Sequence, residues 1–237
     1  MLNASAVVFV SPSYRDALTA RYKNNALISS MLREKSVVIP YGINDTFFAP
    51  DNFSHRTELA APVRIISAAM IDKNKNHLNL ARAVDMLNHQ GYSLELTVIG
   101  RSVDERITRE LKSYSFVKVL PPVTQDELKK VYRAADIFAL TSIYETFGLV
   151  YAEALSQGLP IIYTRGQGFD GQFPDGYVGY PVEAGDIKSI AEGIKSVIGN
   201  YGALQARTRS AARKFRWDAV AMSYYDLYER ILSGGSK

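Results

Sequence analysis

The chain contains no cysteine, which excludes disulfides and thiolate metal sites and is compatible with a reducing compartment. Its three histidines, His55, His77 and His89, are scattered, and none stands at a zinc-ligand spacing. No apolar run approaches the roughly eighteen residues that a membrane span requires. Met1 to Val10 lacks the basic start and long apolar core of a signal peptide. The expected location is therefore cytoplasmic. The 15 tyrosines are spread along the chain and form no base-stacking platform, so no nucleic-acid partner is expected.

What is present is an ordinary globular composition, with 47% apolar and 22% charged residues over 237 positions. That length can bury one large core or two small ones. A net charge of +4 favours an anionic partner, whether a polyanionic ligand, a nucleotide or an anionic membrane surface. By itself it selects none of them.

After Pro62 strands and helices alternate. A strand at Val63–Ala68 leads to a helix at Asn76–Gln90 and a strand at Leu94–Ile99, and a helix from about Asp104 to Ser113 precedes a strand at Val117–Leu120. Thr124 with Glu127 three residues on makes a capping box for a helix through Ala135. The strand Ile137–Ser142, a helix over Gly148–Gln157 stopped by Gly158 and Pro160, and the strand Ile161–Tyr163 continue the pattern. A short strand at Tyr177–Val182 and helices at Asp186–Ile198, Ala203–Phe215 and Trp217–Leu232 close it. The alternation predicts an α/β fold with a doubly wound, parallel, Rossmann-like sheet. Before it, Ala6–Val10 is a short β-branched run and Ser11-Pro12 suits the cap of a helix to about Tyr22. A second helix over Ala26–Lys35 and a strand at Val37–Ile39 follow.

The stretch Tyr144–Ile162 concentrates the chemistry. Glu145 and Glu153 stand with seven residues between them around a helix start at Phe147-Gly148. A carboxylate pair this close suggests acid/base work, and two solvated surface charges would look the same. In a strand, loop, helix, strand unit the helix N-terminus sits at the C-terminal edge of the sheet, where unpaired amides and the helix dipole attract anions. The amides of Phe147, Gly148 and Leu149 suit a phosphate, and Glu153 can accept hydrogen bonds from a ribose diol.

Phe-Gly-Leu, Glu153 and Gly-Leu-Pro at this spacing resemble the signature of family 4 retaining glycosyltransferases of the GT-B fold. VVIPYGIN at residues 37–44, with Phe47, Phe48 and Pro50, resembles the interdomain crossover of the same enzymes. IISAAMIDKNKNHLNLARA at 65–83 resembles their first donor-domain strand, loop and helix. The family arginine of that loop is Met70 here, whereas its lysine matches Lys75, with Lys73 close enough in sequence to compensate. Both lysines could also be a solvated helix start.

The resemblance implies transfer of a sugar, with retention, from a nucleoside diphosphate sugar to a hydroxyl of a carbohydrate or lipid-linked acceptor. No metal or other cofactor is implied. Glu145 would orient the sugar and Lys75 meet the diphosphate as the catalytic pair. Glu153, Phe147, Gly148, Leu149, Val123, Gly100, Arg101 and Lys73 would bind the donor. Asp170, in the loop GQGFDGQF, is not a secure counterpart of the carboxylate that often ends the family's paired-glycine loop.

The expected domains are a remnant of the N-terminal acceptor domain with the crossover (1–40), a donor-binding domain (41–215) and a C-terminal helix (216–237). The acceptor site would lie largely in an N-terminal domain missing from this chain, leaving it incomplete for transfer by itself. Alternatives are a nucleotide-sugar-binding subunit and a non-catalytic interaction protein that kept the fold. The basic run Arg207, Arg209, Arg213, Lys214 and Arg216 is either a solvated helix face or a peripheral contact with an anionic membrane. Trp217 is expected to pack.

Overall fold

The apolar runs after Pro62 are strands, and the computed structural model, which describes residues 4–49 and 58–234, shows how they are covered. Pro50 and His55 lie outside the described residues. The chain begins with β1 (Val7–Phe9), α1 (Pro12–Arg21), α2 (Ala26–Lys35) and β2 (Ser36–Val38), followed by a 3₁₀ turn at Asp45–Phe48. β1 and β2 pair in parallel as a small sheet of their own.

A six-stranded sheet then forms from β3 (Val63–Ala68), β4 (Leu94–Ile99), β5 (Val117–Leu120), β6 (Ile137–Ala139), β7 (Ile161–Thr164) and β8 (Gly179–Val182). Its strand order is β5-β4-β3-β6-β7-β8, with every pair parallel. The crossovers are α3 (His77–His89), α4 (Glu105–Ser113), α5 (Gln125–Ala134) and α6 (Leu149–Ser156). After β8 come α7 (Ile187–Gly199), α8 (Tyr201–Ala212), a 3₁₀ turn at Arg213–Phe215, and α9 (Trp217–Leu232).

Alternate residues of each strand enter different cores. Ile65, Ile137 and Ala139 pack with α3 and α7, whereas Ile66, Phe138 and Leu140 pack with α6 and Tyr132 of α5. Two covered faces explain why β3, β6 and β7 are buried almost throughout, whereas β4 and β5, toward one edge, expose Glu95 and Lys118. The doubly wound parallel sheet is thus as the sequence predicts.

The chain builds β3, β4 and β5 outward in one direction, then returns to place β6 on the other side of β3. At such a reversal the connections leave toward opposite faces, which opens a crevice at the C-terminal strand ends. The β3–β6 pairing there is brief, joining Ile65 to Ile137 and Ile66 to Phe138. The strand expected to reach Ser142 therefore stops at Ala139. Side chains take over beyond it, with Asn76 Nδ2 donating to Thr141 O (3.1 Å) and Thr164 Oγ1 to Ser142 O (2.8 Å).

The small N-terminal sheet is covered on one side by α1 and α2, through Phe9, Met31 and Leu32. α9 contributes Val220 and Leu227 to a second cluster with Ile39, Val8 and Val37. The first and last segments of the chain thus fold together. Gly42 permits this closure, because a Cβ there would stand 2.5 Å from the Trp217 ring.

At the base of the β3–β6 seam, Asp136 accepts from the Arg64 backbone amide (2.9 Å), Nε (3.0 Å) and Nη2 (2.8 Å), and only 1% of Asp136 is exposed. Asp136 is buried and Arg64 is about a third exposed, so losing the carboxylate removes these charge-assisted hydrogen bonds while Arg64 can turn to water. Asp136→Ala is expected to lower unfolding stability by about 2 kcal/mol in urea titration, without a change in the slope of the transition.

Candidate functional site

The crevice at the switch point is a cavity of about 320 Å³ lined by Ala68–Met70, Lys75, Leu140, Tyr41 and residues 145–150. One wall is the loop after β3. Asp72 Oδ1 accepts from the Lys75 amide at 2.9 Å and turns the loop into α3. Asn76 caps that helix from a left-handed backbone conformation (φ 58°), its Nδ2 also donating to Ala184 O at 2.7 Å. His77 is buried beneath, with its ring nitrogens 3.2 Å from Ser67 Oγ and from Met70 O. Burial pushes its pKa down to about 4, so it is a neutral strut at physiological pH.

The opposite wall is the Ile143–Gly148 loop. Asn74 stitches the two walls together. Its Nδ2 donates to Tyr144 O (3.0 Å), its Oδ1 accepts from Tyr144 N (3.0 Å), and its carbonyl accepts from Ile143 N (2.8 Å). Beside this stitch Lys75 Nζ lies 2.7 Å from Glu145 Oε2, with both side chains largely buried. The two residues assigned separate roles from the sequence are therefore an ion pair, each holding the other in place at the cavity wall.

Glu145 is further fixed from below by the glycine-rich loop. Gln167 Oε1 accepts from Glu145 N (3.1 Å), and Gly168 N donates to Glu145 O (2.9 Å). Gly168 has φ 37°, and a Cβ on it would stand 2.5 Å from Glu145 Cγ. Asp170 is occupied inside its own loop, accepting from Gly166 N at 2.6 Å with Arg165 3.6 Å away.

The Phe147 side chain is core, 1% exposed and edge-on to Tyr41 at 5.5 Å, so only its backbone can face a ligand. Gly148 caps α6 at φ 81°, where a Cβ would stand 2.5 Å from the Tyr151 ring. Leu149 is exposed at the rim. Among the described residues no acceptor in the chain takes the amides of Phe147, Gly148 or Leu149. They stay free to bind an anion.

The other expected ligands lie outside the cavity lining. Glu153, in the second turn of α6, faces Tyr132 of α5. Burial pushes its carboxyl up to about 7, opposed by the Tyr132 hydroxyl. That hydroxyl is fully buried and influences the carboxyl without closing a hydrogen bond of good geometry. Gly100 ends β4 against the loop after β3, and a Cβ there would lie 1.8 Å from Ala69 O, so the missing side chain serves backbone packing. Arg101 is exposed, its Nη2 3.8 Å from Met70 Sδ. Val123 packs into the α5–α6 core just before the Thr124 cap, and Lys73 is exposed on its loop.

Sequence reasoning missed the contribution of the N-terminal unit. Ser11 Oγ caps α1 and also donates to Thr146 O at 2.7 Å, while Ser13 Oγ donates to Gly168 O at 3.1 Å. The cap signature gave Ser11 a local role, and nothing in spacing pointed 135 residues ahead. Among the described residues no group of three or more His, Asp or Glu is placed to hold a metal ion.

A doubly wound parallel sheet with an anion-ready helix start at its switch point is the Rossmann-like arrangement of nucleotide-binding folds, of the kind typical of GT-B glycosyltransferases, and solved structures share it. Sucrose-phosphate synthase from Thermosynechococcus elongatus superposes with a TM-score of 0.74 at 22% identity, over 98% of this chain and 59% of that one. The Anabaena protein HepE in complex with UDP and glucose gives 0.71 at 16% identity, over 97% and 64%. The sequence pattern of the family described as Glycosyl transferases group 1 matches residues 52–215, and the chain belongs to that family. A probable sucrose-phosphate synthase of Thermosipho melanesiensis is 30% identical over 236 residues, covering 94% of this chain and 54% of the relative. A D-inositol 3-phosphate glycosyltransferase of Corynebacterium kroppenstedtii is 30% identical over 220 residues, covering 84% and 49%. The chain spans about half the length of the curated relatives it matches.

A carboxyl whose folded pKa is raised takes up protons on folding, so its contribution to stability falls as pH climbs from the ordinary 4.5 to about 7 and stays low above. Glu153→Gln is therefore expected to raise the melting temperature at about pH 8 and to change it little at about pH 5. Scanning calorimetry at the two pH values checks this.

Proposed function

We propose that the chain is the donor-binding part of a family 4 retaining glycosyltransferase, a metal-independent hexosyltransferase acting on a nucleoside diphosphate sugar. The observation that carries this reading is the switch-point cavity, where Lys75 and the free amides of Phe147, Gly148 and Leu149 face one space. A diphosphate placed there meets oriented N–H dipoles and the positive end of α6. The same groups would stabilise the charge that develops as the diphosphate leaves.

In this reading Glu145, held by Lys75 and Gln167, receives donor-sugar hydroxyls, and Glu153 receives the ribose hydroxyls. Arg101 and Lys73 contribute positive charge at the rim, and the backbone near Gly100 and Val123 borders the base. Residues 1–40 belong to the acceptor-side unit, 41–215 form the donor unit, and the helix within 216–237 ties the two together. The acceptor is a carbohydrate or lipid-linked hydroxyl, and the setting is cytoplasmic with peripheral contact on the inner membrane face. Among the described residues no helix is long and apolar enough to cross a membrane.

Calorimetry with UDP, GDP, ADP and their sugar conjugates tests the reading, UDP first because HepE is described with it. One nucleoside diphosphate should bind, more tightly as pH rises through about 7 and Glu153 ionises. Glu153→Ala should weaken binding by about 10-fold to 100-fold, the worth of hydrogen bonds to a charged group. Glu145→Ala should instead reduce the preference for the sugar conjugate over the bare diphosphate. Binding that ignores both substitutions would falsify the assignment.

A further inference from the structure

The basic run at the end of α8, read from the sequence as one cluster, is divided in two by the fold. Arg207 lies over the Tyr177 ring at 5.4 Å, and Lys214 donates to Gln172 O (3.1 Å) and Oε1 (2.9 Å). Both therefore serve the 172–177 loop. Arg209, Arg213 and Arg216 turn the other way and line a cavity of about 510 Å³ together with Phe47, Phe48, Ser156 and Ser210. Among the described residues that line it there is no carboxylate.

Arg209 and Arg213 stand four residues apart, one helical turn, so both guanidinium groups border the same side of the cavity. The Arg213 side chain has no hydrogen-bond or ion-pair partner among the described residues. Arg216 is held in place by Asp218, 3.1 Å from Nε, and by the Phe48 ring 5.3 Å below its guanidinium. Basic residues in a last helical turn complement the helix dipole, which accounts for their place in the sequence. It does not account for their meeting across a cavity with Phe47 and Phe48 of the crossover turn.

We propose that this cavity binds a phosphate-bearing anion. Planar guanidinium groups pair with phosphate oxygens bidentately, and the aromatic residues offer an apolar surface for the group that carries the phosphate. The site is separate from the switch-point cavity. It adjoins Ser156 at the C-terminal end of α6, whereas the donor cavity takes the opposite end. The eight residues of α6 place about 12 Å between the two. The proposal does not depend on the glycosyltransferase reading.

Titration with inorganic phosphate, followed by backbone amide NMR, tests it. Saturable shifts are expected at residues 209–216, with affinity reduced about tenfold or more in Arg213→Ala. Arg213→Lys, which keeps the charge but loses the fork, should fall between, and Arg207→Ala should match the parent chain. Co-sedimentation with phosphatidylcholine vesicles containing phosphatidic acid distinguishes the sources. Pelleting that Arg213→Glu abolishes assigns the site to a lipid headgroup, and phosphate binding without pelleting assigns it to a soluble phosphorylated compound. Shifts confined to residues 145–149, an Arg213→Ala chain that binds as well as the parent, or no binding in either arm would overturn the proposal.

Discussion

The seam between β3 and β6 is where the chain reverses direction across its sheet, and the remaining geometry depends on how that seam is held. Its ladder joins only Ile65 to Ile137 and Ile66 to Phe138. Below the ladder, the Arg64–Asp136 pair clamps the strand starts, with an additional backbone bond from Asp136 N to Arg64 O at 2.8 Å. Above it the strands part, and side chains replace the ladder as the source of hydrogen bonds. Asn74, Asn76 and the Lys75–Glu145 pair span the gap. The cavity exists because backbone pairing stops while these cross-links keep its walls at a set distance.

The electrostatics follow from the same arrangement. Lys75 is matched by Glu145, so the attraction for an anion comes chiefly from unpaired amides at the start of α6 and from its dipole. Gly148 makes this possible twice, by adopting φ 81° and by leaving room for the Tyr151 ring. Glu153, one turn further, is buried enough that its charge is costly without a ligand to share it. α6 is short, and its two ends differ in what surrounds them. The N-terminal end presents free donors, and the C-terminal end adjoins the convergence of Arg209, Arg213 and Arg216.

The N-terminal unit is more than an appendage to this sheet. Ser11 and Ser13 donate to the carbonyls of Thr146 and Gly168, Tyr41 borders the cavity, and α9 returns to bury Ile39. The loops carrying Glu145 are therefore set partly by residues that precede the large sheet by about fifty positions or more.

Much of this was legible in the sequence. Strands alternating with helices announced a doubly wound parallel sheet, and Ser11, Asp104, Thr124 and Asp186 each cap a helix where the pattern places one. Those signals are local, because capping and periodicity depend on neighbours a few residues away. Motif spacing likewise brought Lys75, Glu145 and Phe147–Leu149 to one cavity. Only tertiary structure decided that Lys75 and Glu145 are partners, that Asn74 joins two loops 70 residues apart, that Gly100 yields to Ala69 O, and that the basic run faces two ways. These facts turn on which strands lie side by side and how far a helix rotates in its packing. Both are set by burial summed over the whole chain, which no single segment encodes.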